Sequence, residues 1–542
     1  MSVLTADPAR YHPPVSRLPV PGIIRDLYRN PADGRTLLVA VISLAAAGLD
    51  PRAFHPGLVS VQAAVRARPE AEQILLIAAV VGAVMLLVGG VLGDVDGRRR
   101  LHLGALGVLV VAGVSGLLFS DGPVFLLGRL VGAAMASLIL PFALAGIAVT
   151  YRGVARATAI GVGYAVYGGA SAVAPVLLTL FGPSGPRWPA FAASIVVSTA
   201  AFAIARRGWR DLPSPSRPQG RRVIATGMWA AGIIVTCMVL LGSANGSNDP
   251  LRIAFLLLGL GTLGLAAVVE RGAKDREALQ VERRPVAMAL FVGFIIAFAQ
   301  AMPLLQMPLY FQLLSGYGPI LAGIAITPFV IALVITGPVT GILLRRLSPR
   351  PLITFGVGVV GAGNLLLAIV LAPSASYLSF IAPFALIGSG FVIATTVRTA
   401  IIFASVPRGL PATAAALNEA SVALGTRAGL VVGTLVISTL ALSTYADALA
   451  GQPQGTVDVA VASFQELLTA IGTPGYGALV EGAAGADRLA YAAAYTDAVR
   501  TMLLATGIVT VGSAIVTWFL VRSQQPLTTV WEHRDERVEA TA

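Results

Sequence analysis

Residues 90–100 read Gly90-Val91-Leu92-Gly93-Asp94-Val95-Asp96-Gly97-Arg98-Arg99-Arg100, and the fold is decided by what this stretch joins. It lies between two apolar runs, roughly residues 74–93 and 101–120. Each is long enough to cross a bilayer as a helix, which takes about 20 residues. The link between them is too short to form a domain. Its glycines permit a tight reversal, and three consecutive arginines mark the cytoplasmic side of a membrane. A second link of the same kind, Gly341-Ile342-Leu343-Leu344-Arg345-Arg346-Leu347-Ser348-Pro349-Arg350, again separates two apolar runs. One basic link in each half implies a duplicated, polytopic membrane chain.

The composition agrees. Of 542 residues, 56% are hydrophobic and 12% charged, and the mean hydropathy is +0.82. These values exclude an ordinary soluble protein. The 59 glycines suit close helix packing in lipid. A net charge of +12 reflects arginines in short loops rather than a nucleic-acid surface. Cys237 is the single cysteine and lies in an apolar run, so neither a disulfide framework nor a thiolate metal site is available. There is no phosphate-binding glycine loop, and His12, His55, His102 and His533 lack metal spacing; no cofactor and no metal is expected. The chain is not expected to be an enzyme.

Fourteen spans are expected: 36–60, 72–93, 101–120, 123–149, 157–181, 188–206, 223–243, 250–269, 285–313, 319–344, 351–372, 376–404, 411–443 and 499–521. With the N-terminus inside, 28 of the 38 basic residues fall in cytoplasmic segments. Only Arg66, Arg68, Arg187, Arg252, Arg488 and Arg500 fall outside, while Arg52, Arg129, Arg398 and Arg427 lie within spans. Residues 1–35 form a cytoplasmic arm, read either as a short surface helix or as a polar leader. Residues 36–206 and 285–522 make two six-helix bundles. Residues 207–284 are an inserted pair of spans with basic linkers, and 523–542 a cytoplasmic tail. Segment 444–498 is expected outside, as a loop with a helical piece near Val457–Ile471.

The first link resembles the G-x-L-a-D-r-x-G-r-r signature of the major facilitator superfamily. Gly90, Leu92, Asp94, Gly97, Arg98 and Arg99 match it, and Val95 replaces a usual basic residue. Bundles of six flanking an extra pair resemble that superfamily's fourteen-helix drug:proton antiporter branch. The resemblance implies an all-α polytopic fold and secondary transport by alternating access.

An ionisable side chain inside a membrane helix costs ~2.5–3.5 kcal/mol at the centre, so each one needs a reason. Leu49-Asp50-Pro51-Arg52-Ala53-Phe54-His55-Pro56 is similar to the branch's L-D-x-T-I-V-N-V-A-L-P motif through Leu49 and Asp50. Arg52 stands for Thr and His55 for Asn. Asp50 reads either as a protonation site or as the acid of a structural pair with Arg52. Arg129, in Leu127-Gly128-Arg129-Leu130-Val131-Gly132, is similar to the branch's R-x-x-q-G, which implies a cavity-facing arginine near the proton site. Its alternative is a bond to carbonyls freed by Pro51 and Pro56. In span 157–181 Pro175 fits the antiporter signature, while Ala174, Leu178 and Thr179 replace glycines.

Met302, Gln306 and Tyr310 follow at i, i+4 and i+8 and share a helix face. With Gln312 in Tyr310-Phe311-Gln312, which resembles the family's Y-l-Q, they read as a substrate wall or as packing. Asn418, Glu419 and Arg427 lie in span 411–443; Glu419 or Asp50 is the candidate partner of Arg427, and Arg398 is expected to snorkel towards the cytoplasm. The resemblance thus implies proton coupling through Asp50, Arg129, Arg52 and Glu419, and gating by Gly90, Asp94, Gly97, Arg98 and Arg99. It implies a cavity with His55, Met302, Gln306, Tyr310, Gln312, Asn418 and Arg427. The expected task is proton-driven export of small amphiphilic compounds across the plasma membrane, with a possible partner at 444–498. The rivals are a lipid or metabolite carrier of the same fold and a transport-inactive receptor or scaffold.

Overall fold

A computed structural model of the protein describes, with short gaps, residues 31–49, 81–179, 188–208, 225–236, 250–271, 283–470 and 485–521. Among these the chain is helical, and ten helices are long and apolar enough to cross a membrane. We number the elements α1 (Pro31–Gly48), α2 (Val84–Asp94), α3 (Arg98–Leu118), α4 (Gly122–Thr150), α5 (Gly153–Thr179) and α6 (Trp188–Gly208). Then follow α7 (Pro250–Arg271), α8 (Arg283–Leu313), α9 (Pro319–Ile324), α10 (Thr327–Leu343) and α11 (Pro349–Val370). The last are α12 (Leu378–Ser405), α13 (Pro411–Ala448), α14 (Gln454–Ala470) and α15 (Gly485–Leu520).

Helix starts follow local chemistry. Gly97 turns the chain into α3 at φ 104°, a conformation that costs any residue with a Cβ. Prolines stand in the first turns of α10, α11 and α13, where a missing N–H costs nothing. Interior prolines at 141, 303, 308, 338 and 383 are accommodated without ending their helices.

The duplication is visible in the packing. In the N-terminal half α1 packs on α4, α5 and α6, α3 on α4 and α6, and α5 on α4 and α6. In the C-terminal half α8 packs on α12, α13 and α15, α11 on α12 and α15, and α13 on α12 and α15. Every pairing of the first set recurs in the second, with α1, α3, α4, α5 and α6 replaced by α8, α11, α12, α13 and α15. The halves join through α5 against α10 and α12, and through α13 against α4 and α2. That set is symmetric under the same exchange, with α10 standing for α2.

Lipid supplies no hydrophobic drive between helices, so close backbone approach carries the packing. A Cβ on Gly161 of α5 would lie 2.2 Å from the carbonyl oxygen of Gly337 on α10. One on Gly90 of α2 would lie 2.5 Å from Ala416 Cβ of α13. Helical pieces within 225–236 pack on α7 through Gly232 and Gly259, and Ala231 joins the seam of Leu86, Leu87, Ala416 and Ala420 between α2 and α13.

Two expectations change. The span expected at 319–344 is present as one apolar stretch, Leu321–Leu343, but its helix is interrupted between α9 and α10: the chain turns at Ala325 and Ile326, ahead of Pro328. In segment 444–498 the helical piece expected near Val457–Ile471 is present as α14, but the flanking residues expected as loop belong in part to α13 and α15. Helix α13 runs to Ala448, α14 occupies Gln454–Ala470, and α15 begins at Gly485, so span 499–521 is the later part of a 36-residue helix. Polar residues such as Asp497 ended the apolar window, yet Arg500 pairs with Asp497 at 2.9 Å within the helix. An apolar window marks where hydropathy falls and not where the helix ends. The three pieces are joined by Tyr445, Phe464 and Tyr491, with Phe464 and Tyr491 stacked at 4.6 Å.

Candidate functional site at the junction of the two halves

The end of the molecule that carries the link at 90–100 is called here the basic end. There α2 terminates in Asp94, whose side chain is fully buried. Pro411 opens α13 without an N–H, so the first free amides of that helix belong to Ala412 and Thr413. They donate to the two carboxylate oxygens, at 3.1 Å to Oδ1 and 2.8 Å to Oδ2. A helix N-terminus favours an anion there. Arg98, one turn further and almost fully buried, lies with Nε 3.8 Å from Oδ1. Burying the charge costs free energy, and two amides with one guanidinium offset it. Arg99 Nη2 donates at 3.0 Å to the carbonyl of Arg206 in the last turn of α6. The link therefore ties α2 and α3 both to α13 of the other half and to α6 of its own.

Deeper along α13 lies a polar cluster drawn from both halves. Tyr164 of α5 donates its hydroxyl to Glu419 Oε1 at 2.5 Å, and Thr399 Oγ1 of α12 lies 3.0 Å from the Tyr164 hydroxyl oxygen. Asn418 Nδ2 lies within 3.0 Å of Tyr164 Oη, Thr399 Oγ1 and Glu419 Oε1. Arg398 of α12 donates through Nη1 to the carbonyl of Asn418 at 2.9 Å, its Oδ1 at 2.6 Å and Ser421 Oγ at 3.3 Å. Its Nη2 lies 3.8 Å from Glu419 Oε1. A Cβ on Gly293 of α8 would fall 2.5 Å from Arg398 Nη1, so the missing side chain makes room for the guanidinium.

This corrects two expectations. Arg398 does not snorkel: it is 0% exposed, held by hydrogen bonds within the protein. The cationic partner of Glu419 is Arg398, not Arg427, which is half-buried further along α13. Met302, Gln306 and Tyr310 do share one face of α8, but that face is buried within the C-terminal half. Met302 fills the space opposite Gly433, Gln306 Oε1 accepts from Tyr495 Oη at 2.7 Å, and Tyr310 donates to the carbonyl of Ala372. Gln312 donates back to the carbonyl of Pro308 at 3.1 Å. The stripe is packing, not an open wall, because α8 faces α12, α13 and α15. Asp50, Arg52 and His55 lie outside the described residues, as does the side chain of Arg129. Reading the sequence missed Tyr164, Thr399, Ser421 and Gly293. No group of His, Cys, Asp and Glu suited to a metal occurs among the described residues.

A helical membrane protein of two similarly packed halves, joined by a buried carboxylate on a helix N-terminus, defines a class of transporter folds rather than of enzymes. The chain belongs to the Major Facilitator Superfamily, whose sequence profile matches residues 37–430. It is 30% identical over 397 residues to the puromycin resistance protein pur8 of Streptomyces alboniger, covering 69% of this chain and 75% of that one. It is 26% identical over 302 residues to the methylenomycin A resistance protein of Bacillus subtilis, covering 54% of this chain. The match spans 64% of that relative's length, and 53% of the MFS-type transporter EfpA of Mycobacterium tuberculosis. Among solved structures, the proton:xylose symporter XylE aligns with a TM-score of 0.55 at 14% identity, over 92% of this chain and 98% of that one. The human organic anion transporter MFSD10 aligns at 0.54 and 12%, over 91% and 99%.

Proposed function

We propose that the protein is a proton-coupled exporter of small amphiphilic compounds that works by alternating access in the cell membrane. The observation that carries this reading is the junction itself: the halves close on one another at the basic end through Asp94 and through a buried ionisable cluster. A junction with buried charge changes its stability when that charge is neutralised. The names of two relatives, resistance proteins against puromycin and methylenomycin A, support export of small organic molecules.

In this reading the basic end and both termini are cytoplasmic, and the described conformation is closed on that side. Fourteen spans fall into the bundles 36–206 and 285–522 with the pair at 207–284 inserted between them. Asp94, with Gly90, Gly97, Arg98 and Arg99, forms the latch of the inner gate. Asp50 exchanges the proton, Arg129 and Arg52 tune it, and Glu419 is a second acid on the path. His55 and Arg427 face the substrate, while Asn418 is held within the junction cluster by Arg398, Tyr164 and Glu419. A same-fold carrier of lipids or metabolites is the second reading, favoured by Arg52 and by Ala174, Leu178 and Thr179 where antiporters have other residues.

Reconstituted protein with an imposed pH gradient tests the reading. Gradient-driven flux of cationic dyes and antibiotics is expected in the wild type. In Asp50→Asn, fixed in the neutral form, driven flux is lost while substrate binding survives. Wild-type, pH-dependent flux in that variant removes Asp50 as the coupling site. Flux of lipids or metabolites without response to the gradient favours the second reading.

A further inference from the structure

We propose that the Tyr164 hydroxyl couples the protonation of Glu419 to closure of the basic end, acting as a positioning residue between the halves. The inference rests on the proton-coupled reading above and assigns the mechanical consequence of that proton to a particular bond.

The bond joins α5 of one half to α13 of the other. At 2.5 Å it is short for an O–H···O bond, and when Glu419 is ionised such a bond is roughly twice as strong as its neutral counterpart. Glu419 uses its two oxygens differently. Oε1 takes the Tyr164 hydroxyl and the Asn418 amide and lies nearest Arg398. Oε2 has no hydrogen-bond partner among the described residues, and the side chain keeps 9% exposure in a cluster otherwise nearly closed. One oxygen holds the halves together, and the other is the one left to take a proton.

The hydroxyl carries a single hydrogen. While Glu419 is charged, that hydrogen belongs to Oε1. Once a proton sits on Oε2, the charge that favoured this arrangement is gone, and Thr399 Oγ1 at 3.0 Å becomes a competing neutral acceptor. Thr399 can accept because its own hydrogen goes to the Thr395 carbonyl at 2.7 Å. Arg398 keeps its bonds to Asn418 and Ser421 throughout. Protonation therefore exchanges a charge-assisted tie between the halves for a weaker neutral one and leaves the C-terminal half intact.

The position on α13 makes this consequential. Glu419 lies seven residues past Ala412, about 10 Å deeper at helical rise, so the tie is the next layer behind the Asp94 latch on the same helix. Arg398 from α12 and Tyr164 from α5 are the charged and titratable groups facing Glu419 among the described residues. Helix α8 presents Gly293 to this cluster. Asp94 and Arg98 belong to the layer nearer the basic end.

The test uses the full chain in lipid nanodiscs, without substrate or gradient, spin-labelled at the exposed positions Arg100 and Arg346 on either side of the basic end. Distances are recorded at about pH 8 and about pH 4, on either side of ordinary glutamate and histidine titration. The comparisons are made in an Asp94→Asn background, because burial raises the Asp94 carboxyl to about 6 and its own titration would otherwise open the basic end. Acidification of this otherwise wild-type chain is expected to enlarge the long-distance population. Tyr164→Phe, which removes the hydroxyl alone, lowers the closed-to-open ratio roughly tenfold at the higher pH and loses most of the acid response. Glu419→Gln resembles the acidified wild type at both pH values, a result that does not depend on how Tyr164→Phe folds. A wild-type acid response in Tyr164→Phe, or a wild-type closed population in Glu419→Gln at the higher pH, overturns the inference. Gradient-driven flux in the wild type is measured separately. Its absence defeats the antiport reading, whereas its presence beside an unchanged Tyr164→Phe response defeats this inference alone.

Discussion

Asp94 is buried to the last atom, and a carboxylate in that position is tolerated because two amides of another helix end on it. Asp94→Asn keeps the shape and one acceptor but removes the charge. We expect the closed state to lose about 2 kcal/mol, a roughly thirtyfold fall in the closed-to-open ratio, with expression unchanged. Crosslinking between cysteines placed on α2 and α13 reads this directly, and an unchanged yield overturns the latch. This part of the site was legible in the sequence because the motif is local: acid, glycine turn and arginines lie within one short link. The Tyr164 cluster was not legible. Its bonds join residues 235 and 255 positions apart, and a tyrosine in a glycine-rich run carries no mark of what it will meet. Arg398 announced itself as a charge in an apolar run, but its partners did not.

At the level of elements, apolar length predicted the helices well wherever lipid sets both ends, as in α11 and α12. It failed where a helix continues beyond the bilayer. The far ends of α13 and α15 rise past the apolar windows and are held to α14 by Tyr445, Phe464 and Tyr491, of which Phe464 is fully buried. Phe464→Ala removes the ring that both tyrosines contact. Losing a buried phenylalanine costs about 3 kcal/mol or more. Amide exchange across α14 is expected to accelerate more than tenfold, while exchange in α11 stays as it is. Equal protection of α14 in both proteins shows that the aromatic contact is not what holds it.

For the whole molecule, the repeated pairing pattern makes each half a unit with its own packing, and movement falls to the junction between them. The proposed sidedness is open to a direct test with reporter fusions at Gly97, Gly451 and Ala542. The first and last are expected inside and the middle one outside. A reporter active only outside the cytoplasm, if it works at Ala542, overturns the fourteen-span count.

The exchange that maps one half onto the other also exposes what the duplication left unequal. Gly90 on α2 and Gly341 on α10 occupy matching places, each pressed against the opposite half: one on Ala412 and Ala416, the other on the backbone at Thr158. Four residues beyond Gly90 comes Asp94; four beyond Gly341 comes Arg345. One seam is thus sealed by shape and charge together, and its twin by shape, since the link at 341–350 contains no acid. A joint with one ionic edge and one plain edge has a built-in order of failure. Protons or a competing anion are expected to loosen the first edge ahead of the second, which leaves the second as the natural pivot for the halves.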